Sequence, residues 1–223
     1  KYLFYSIQSL KKFIWYSEET DRFYKVEGYL NPYSDTIVPK ISDAFVWDQK
    51  ETGRKLIYGE NTWNEAKAWV SDGNSFALMG DGTNAFIYKF YVNNLEAKNC
   101  YRISSSVATD VLSADFYAFS STRSVLFYVK NNTLYAYNYD IGNERVDMIP
   151  LETTDEITML KFDLTMEPMK DALYIATYSA IEGGSLRKYY VGNNPDKVEL
   201  KSDPKAVWKG LTKVKNMSWR ALL

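Results

Sequence analysis

The residues best able to do chemistry in this 223-residue chain are carboxylates, hydroxyls and one thiol, because it contains no histidine. That absence removes the usual general base at neutral pH, the imidazole metal ligand and every Ser-His or Cys-His nucleophile pair. Asp155-Glu156, with Asp163 and Glu167 further on, offers paired carboxylates. A glycosidase needs two carboxyl groups facing each other across the bond. Neighbours along a strand point to opposite sides, so these groups read as solvated turn residues. Asp81-Gly82-Thr83-Asn84 and Asp72-Gly73-Asn74 have the oxygen-bearing side chains that calcium uses. They lack the alternating acidic ligands and closing Glu of an EF-hand, and Asp-Gly is the better fit to ordinary hairpin turns. Glu182-Gly183-Gly184-Ser185 has neither the lysine of a phosphate-binding loop nor a helix after it, which speaks against a nucleotide. Cys100, the only cysteine, excludes an internal disulfide and any multi-cysteine metal site, and its strand-like setting suits a small core residue. No cofactor and no metal are expected.

The aromatic side chains form a second class of candidate. Nineteen Tyr, eleven Phe and six Trp make 16% of the chain aromatic, and most are expected to pack in the core. Trp63, Trp69 and Tyr33 lie outside the cleanest strand patterns, and Asn61 and Asn64 flank Trp63 with hydrogen-bonding groups. These five are the candidate ligand-binding residues, since sugar faces and extended peptides both stack on exposed aromatic rings. Lys plus Arg is 27 against 28 Asp plus Glu, so no net field draws the chain to nucleic acid or to an anionic membrane face. No uninterrupted apolar run approaches the length of a membrane-spanning helix.

The elements that must position these groups are strands. Val125-Leu126-Phe127-Tyr128-Val129 stops at Lys130-Asn131-Asn132 and resumes as Thr133-Leu134-Tyr135-Ala136-Tyr137, a β-hairpin whose two-residue loop uses the tolerance of Asn for positive φ. The pattern recurs. The strongest apolar triplets centre on Ile14, Ile57, Ile87, Phe127 and Tyr174, about 40 residues apart on average, the period of propeller blades. The reading is therefore one all-β domain over residues 1–223, a β-propeller of about five blade-like antiparallel units. They fall at residues 1–30, 41–70, 75–104, 115–150 and 156–201, with a closing strand at 206–220. Gly28 to Lys40, with Asn31-Pro32 and Pro39, reads as a long loop between blades. Ala44–Trp47 and Lys55–Tyr58 are the strands expected in the second unit, and Val198–Leu200 is the last strand of the fifth. Opening at Lys1-Tyr2-Leu3-Phe4-Tyr5 without a start Met and already inside a strand pattern, the chain reads as the C-terminal part of a longer protein.

Several segments resemble the C-terminal propeller region of the PKD-like family of lipoproteins, found in Bacteroides-type bacteria beside SusC/SusD-type outer-membrane nutrient importers. They are Ala44-Phe45-Val46-Trp47 with Lys55-Leu56-Ile57-Tyr58-Gly59, Ser75–Met79 before Phe86–Phe90, Glu156–Leu160, Leu173–Tyr178 with Gly184–Tyr189, and Trp208–Leu211 to Trp219. These are blade-packing patterns covering most of the chain, and no catalytic motif accompanies them. The resemblance implies a lipid-anchored protein of the outer membrane, at the cell surface, with immunoglobulin-like modules and the lipid anchor preceding this region. It implies a non-enzymatic accessory role beside a SusC-type TonB-dependent transporter and a SusD-type lipoprotein, with an oligosaccharide or peptide as ligand. A hydrolase or lyase acting on glycans is the alternative, because propellers also host enzymes that use acidic residues and Tyr.

Overall fold

The computed structural model describes residues 2–7, 12–30, 37–43, 53–61, 74–91, 97–120, 123–140, 142, 144–163 and 172–217. Among them sixteen strands form four antiparallel sheets of four, and in every sheet each strand pairs with its neighbour in sequence. The first holds β1 (Tyr2–Ile7), β2 (Lys12–Ser17), β3 (Arg22–Leu30) and β4 (Ile37–Asp43). The second holds β5 (Lys55–Asn61), β6 (Asn74–Gly80), β7 (Ala85–Tyr91) and β8 (Ala97–Arg102), and is followed by α1 (Ser105–Leu112). The third holds β9 (Phe116–Phe119), β10 (Val125–Lys130), β11 (Thr133–Asn138) and β12 (Arg145–Ile149). The fourth holds β13 (Glu156–Asp163), β14 (Ala172–Ser179), β15 (Gly183–Val191) and β16 (Leu200–Leu211). The chain divides into two compact units, Lys1–Leu112 with the first two sheets and Ser113–Leu223 with the last two.

The all-β class holds, and four corrections follow from the pairing. The expected second and third units supply one sheet, β5–β8, so the described residues give four meanders in place of about five units. Gly28 to Lys40 is not all loop: β3 runs on to Leu30 and β4 begins at Ile37, with Gly28 opposite Pro39. Proline is tolerated there because β4 is a sheet edge, where one missing N–H leaves no ladder bond unmade. Leu200 and residues 206–211, expected in two separate strands (Val198–Leu200 and 206–220), belong to one strand, β16, which pairs with β15. Finally, Ser105–Leu112 is helical although no helix was expected. The Ser104 carbonyl accepts from the N–H groups of Val107 and Ala108 at 2.9 Å each, and the turn this starts buries Ala108 and Val111. Ala44–Trp47 lies outside the described residues.

Three of the four first strands share a bulge at their third residue. Phe4 in β1, Ile57 in β5 and Thr158 in β13 each have no opposite number on the second strand. A bulge raises the local twist, so the same distortion recurs at the same place in three meanders. The first strands also bring the sheets of each unit together: β1 lies beside β5 in one, β9 beside β13 in the other.

In the Lys1–Leu112 unit the contact is aromatic. The Phe23 ring of β3 lies 5.1 Å from Tyr16 and 5.1 Å from Phe90 of β7, all three buried. The Tyr16 hydroxyl donates to Asp21 Oδ1 at 2.9 Å and accepts from the Leu56 N–H at 3.4 Å, tying β2 to β5. Burial is the main reason its pKa rises to about 12.

In the Ser113–Leu223 unit the facing sheets bury Ala118, Phe127, Val129, Leu134, Ala136 and Ile149 against Leu160, Phe162, Leu173, Ile175 and Tyr189. Each large side chain so placed contributes about 2–3 kcal/mol of burial. Polar staples close both ends. Arg123 donates to the carbonyls of Gly192 and Asn194, and Asp147 Oδ2 accepts the Val198 N–H at 2.8 Å, fixing the β15–β16 connection against the third sheet. At the other end Asn132, in the β10–β11 turn, donates to the carbonyls of Thr154 (3.4 Å) and Asp155 (3.1 Å) and accepts from Ile157 N–H at 2.7 Å. Asn131 and Asn132 sit at φ 50° and 56°, as a primed hairpin turn requires.

Candidate functional site

Strand direction alone carries two acidic stretches, distant in sequence, to one end of the fourth sheet. β13 starts there, β14 returns there and β15 starts there again, so Glu156, Tyr178, Gly184 and Leu211 form one row across four strands. Asp155 lies just before that row, and the turn to Glu182 and Gly183 lies just beyond its middle. Together with Ser185 and Lys209 these residues line an open pocket of about 310 Å³, at the lower end of the roughly 300–1,000 Å³ usual for small-ligand sites.

Each wall has a local cause. Asp155 is held by its backbone, its N–H donating to Thr153 Oγ1 at 3.1 Å and its carbonyl held by Asn132. The Glu182 N–H donates to Ser179 Oγ at 2.9 Å, which closes the β14–β15 turn and aims the next residues along β15. Ser185 and Thr177, paired across strands, share a 2.8 Å hydroxyl contact. Lys209 is turned in by irregularity in β16. Between Gly184 opposite Leu211 and Leu186 opposite Trp208, β16 carries one extra residue, with Gly210 at φ 69°.

Charges around the pocket divide into satisfied and free. Glu156 takes both oxygens to Lys213 Nζ at 2.7 Å, and Glu152 is held by Arg187 and by Ser202 Oγ. Among the described residues, the carboxylates of Asp155 and Glu182 and the ammonium of Lys209 have no hydrogen-bonding or ionic partner. The site thus offers two acceptor groups, one cationic donor and a hydroxyl, with no histidine and no aromatic ring in its lining. Among the described residues no group of three or more potential metal ligands gathers.

Of the candidates singled out for ligand stacking, Trp63, Trp69, Tyr33 and Asn64 lie outside the described residues, and Asn61 is the last residue of β5, its backbone opposite Ser75. Asp163 ends the strand that Asp155 precedes, which puts the two about 25 Å apart at roughly 3.3 Å per residue. Glycosidase carboxylates stand about 5–9.5 Å apart, so Asp155 and Asp163 are not such a pair. Glu167 and Asp72-Gly73 fall outside the described residues. Asp81 is the turn residue expected: its carboxylate accepts from the N–H groups of Thr83 and Asn84 and from Asn84 Nδ2, which lowers its pKa to about 2. Cys100 is half-buried beside Arg54, and burial raises its thiol pKa.

No protein-family model matches the chain, and no curated protein matches it.

Proposed function

We propose that this chain is a β-propeller module of a surface lipoprotein that serves a SusC/SusD-type outer-membrane importer as a non-enzymatic accessory, helping to bind or present its oligosaccharide or peptide substrate. The observation that carries the propeller reading is the fourfold meander with its repeated first-strand bulge. In each unit, first strands approach one another and fourth strands lie at the sheet edge, which supports reading the sheets as blades. A binding role is supported by the pocket of unpartnered charges at one end of the fourth sheet, where a loop residue, a turn and two strands meet. The importer, the lipid anchor and the cell-surface location rest on the sequence resemblance. Affinity purification of the tagged full-length protein from detergent-solubilised outer membrane tests them. Recovery of a transporter and SusD-type lipoprotein in fixed proportion is expected, and recovery of the protein alone removes the importer.

One observation favours the second reading, a glycan-active hydrolase or lyase. Asp155 and Glu182 share a pocket, as an acid and its partner must. Turnover of polysaccharide by the purified protein, lost in Asp155→Asn and in Glu182→Gln, would replace the accessory role with this one.

A further inference from the structure

We propose that the Asp155–Glu182–Lys209 pocket takes a short zwitterionic peptide, its α-ammonium between the two carboxylates and its terminal carboxylate on Lys209. This rests on the substrate-binding reading above and narrows it from oligosaccharide or peptide to peptide.

Charge and lining make the case. The neighbouring Glu156 and Glu152 are neutralised by Lys213 and Arg187, while the three charged heads that line the pocket are not. A ligand that displaces water from unpartnered charges must replace it with groups of opposite sign, or binding carries a desolvation cost with no return. A zwitterion supplies both signs at once, and its contacts are charge-assisted hydrogen bonds. A neutral sugar supplies neither. Sugar recognition also leans on an aromatic platform, and the lining is Asp, Glu, two Gly, Ser and Lys. The exposed indole of Trp208 stacks on Tyr174 and does not line the pocket.

The borders suit a peptide as well. Ile181, 96% exposed, immediately precedes Glu182, and Leu211, 36% exposed, lies opposite Gly184. Charged lining residues with exposed apolar neighbours in the chain and across the sheet suit the charged termini and aliphatic side chains of a peptide.

Calorimetric titration of the purified chain with trialanine, N-acetyl-trialanine, trialanine amide and maltotriose tests the assignment. Trialanine binds, and acetylation or the paired change Asp155→Asn with Glu182→Gln weakens it by about tenfold or more. Amidation weakens it similarly in the unaltered protein and has no effect in Lys209→Met. Because these heads hold nothing else in the fold, the melting temperature of each variant matches that of the parent, which separates lost binding from lost folding. Equal affinity for trialanine and its acetylated form, displacement of trialanine by maltotriose, or no heat with any peptide overturns the assignment. These outcomes are independent of the co-purification result: a chain that binds trialanine but is recovered without a transporter keeps its peptide site and loses its importer.

Discussion

Gly184 is the residue that fixes how closely β16 approaches the pocket. A Cβ built on it would stand 2.1 Å from the Thr212 carbonyl oxygen and 3.0 Å from that of Leu211. Both obstacles are backbone, so no rotamer change relieves them. Gly184→Ala is expected to destabilise the protein by about 2 kcal/mol or more, read as a lower urea midpoint at unchanged slope, and to weaken trialanine binding by displacing Lys209. Both glycines were visible in the sequence, but not their separate reasons: Gly183 sits at φ 76°, and Gly184 makes room for the neighbouring strand. Asp155 was visible too, as one of a carboxylate pair with Glu156. The structure separates the two, giving Glu156 to Lys213 and joining Asp155 to Glu182, because only strand direction decides which loops meet. Lys209 carried no signal, since one lysine in an alternating tail resembles any other.

Asn132 shows how an element can depend on one side chain outside it. The start of β13 is held by three hydrogen bonds from a turn belonging to the previous sheet. Asn132→Ala removes all three and puts a non-glycine residue without Asn's tolerance at φ 56°, so a loss of about 2–3 kcal/mol is expected by chemical denaturation. Asn132→Gly keeps the turn while losing the bonds, and its smaller loss measures them separately. That hairpin was legible because its strands are unbroken and its loop is two asparagines. β16 was not, because Asp203-Pro204-Lys205 looks like a turn between two strands. It is a three-residue excursion between Arg187 opposite Val207 and Tyr189 opposite Ser202, held by Tyr190 and the Lys205 N–H on Asp203. The proline and lysine there suit an unpaired edge, which they protect from strand addition. α1 was obscured by Val107, Thr109 and Val111, whose β-branched alternation imitates a strand; burial of Ala108 and Val111 overrides it.

For the whole molecule, both units carry a tyrosine whose ionisation the fold opposes. Burial is the leading cause at Tyr16 in one and Tyr117 in the other, and each has its pKa raised from 10.0 to about 12. The folded-state values lie above the unfolded one, so this contribution to stability is complete below about pH 10. It is lost as pH rises toward 12, because the unfolded chain releases its protons first. The urea midpoint should hold steady to about pH 10 and then fall, and the phenolate absorbance that Tyr16→Phe and Tyr117→Phe remove from the spectrum should appear together with loss of near-ultraviolet dichroism. Phenolate absorbance from both tyrosines near pH 10 in the intact fold would contradict it.

The same meander pairing has a consequence for synthesis. The widest pairing among the described strands joins Gly184 to Leu211, 27 positions apart, so no strand waits long for its partner. At about 5–20 residues per second, a sheet of roughly 40 residues has all four strands within about 2–8 seconds of its first residue. Each sheet can therefore pair its strands in the order of their synthesis, without a partner from a later sheet.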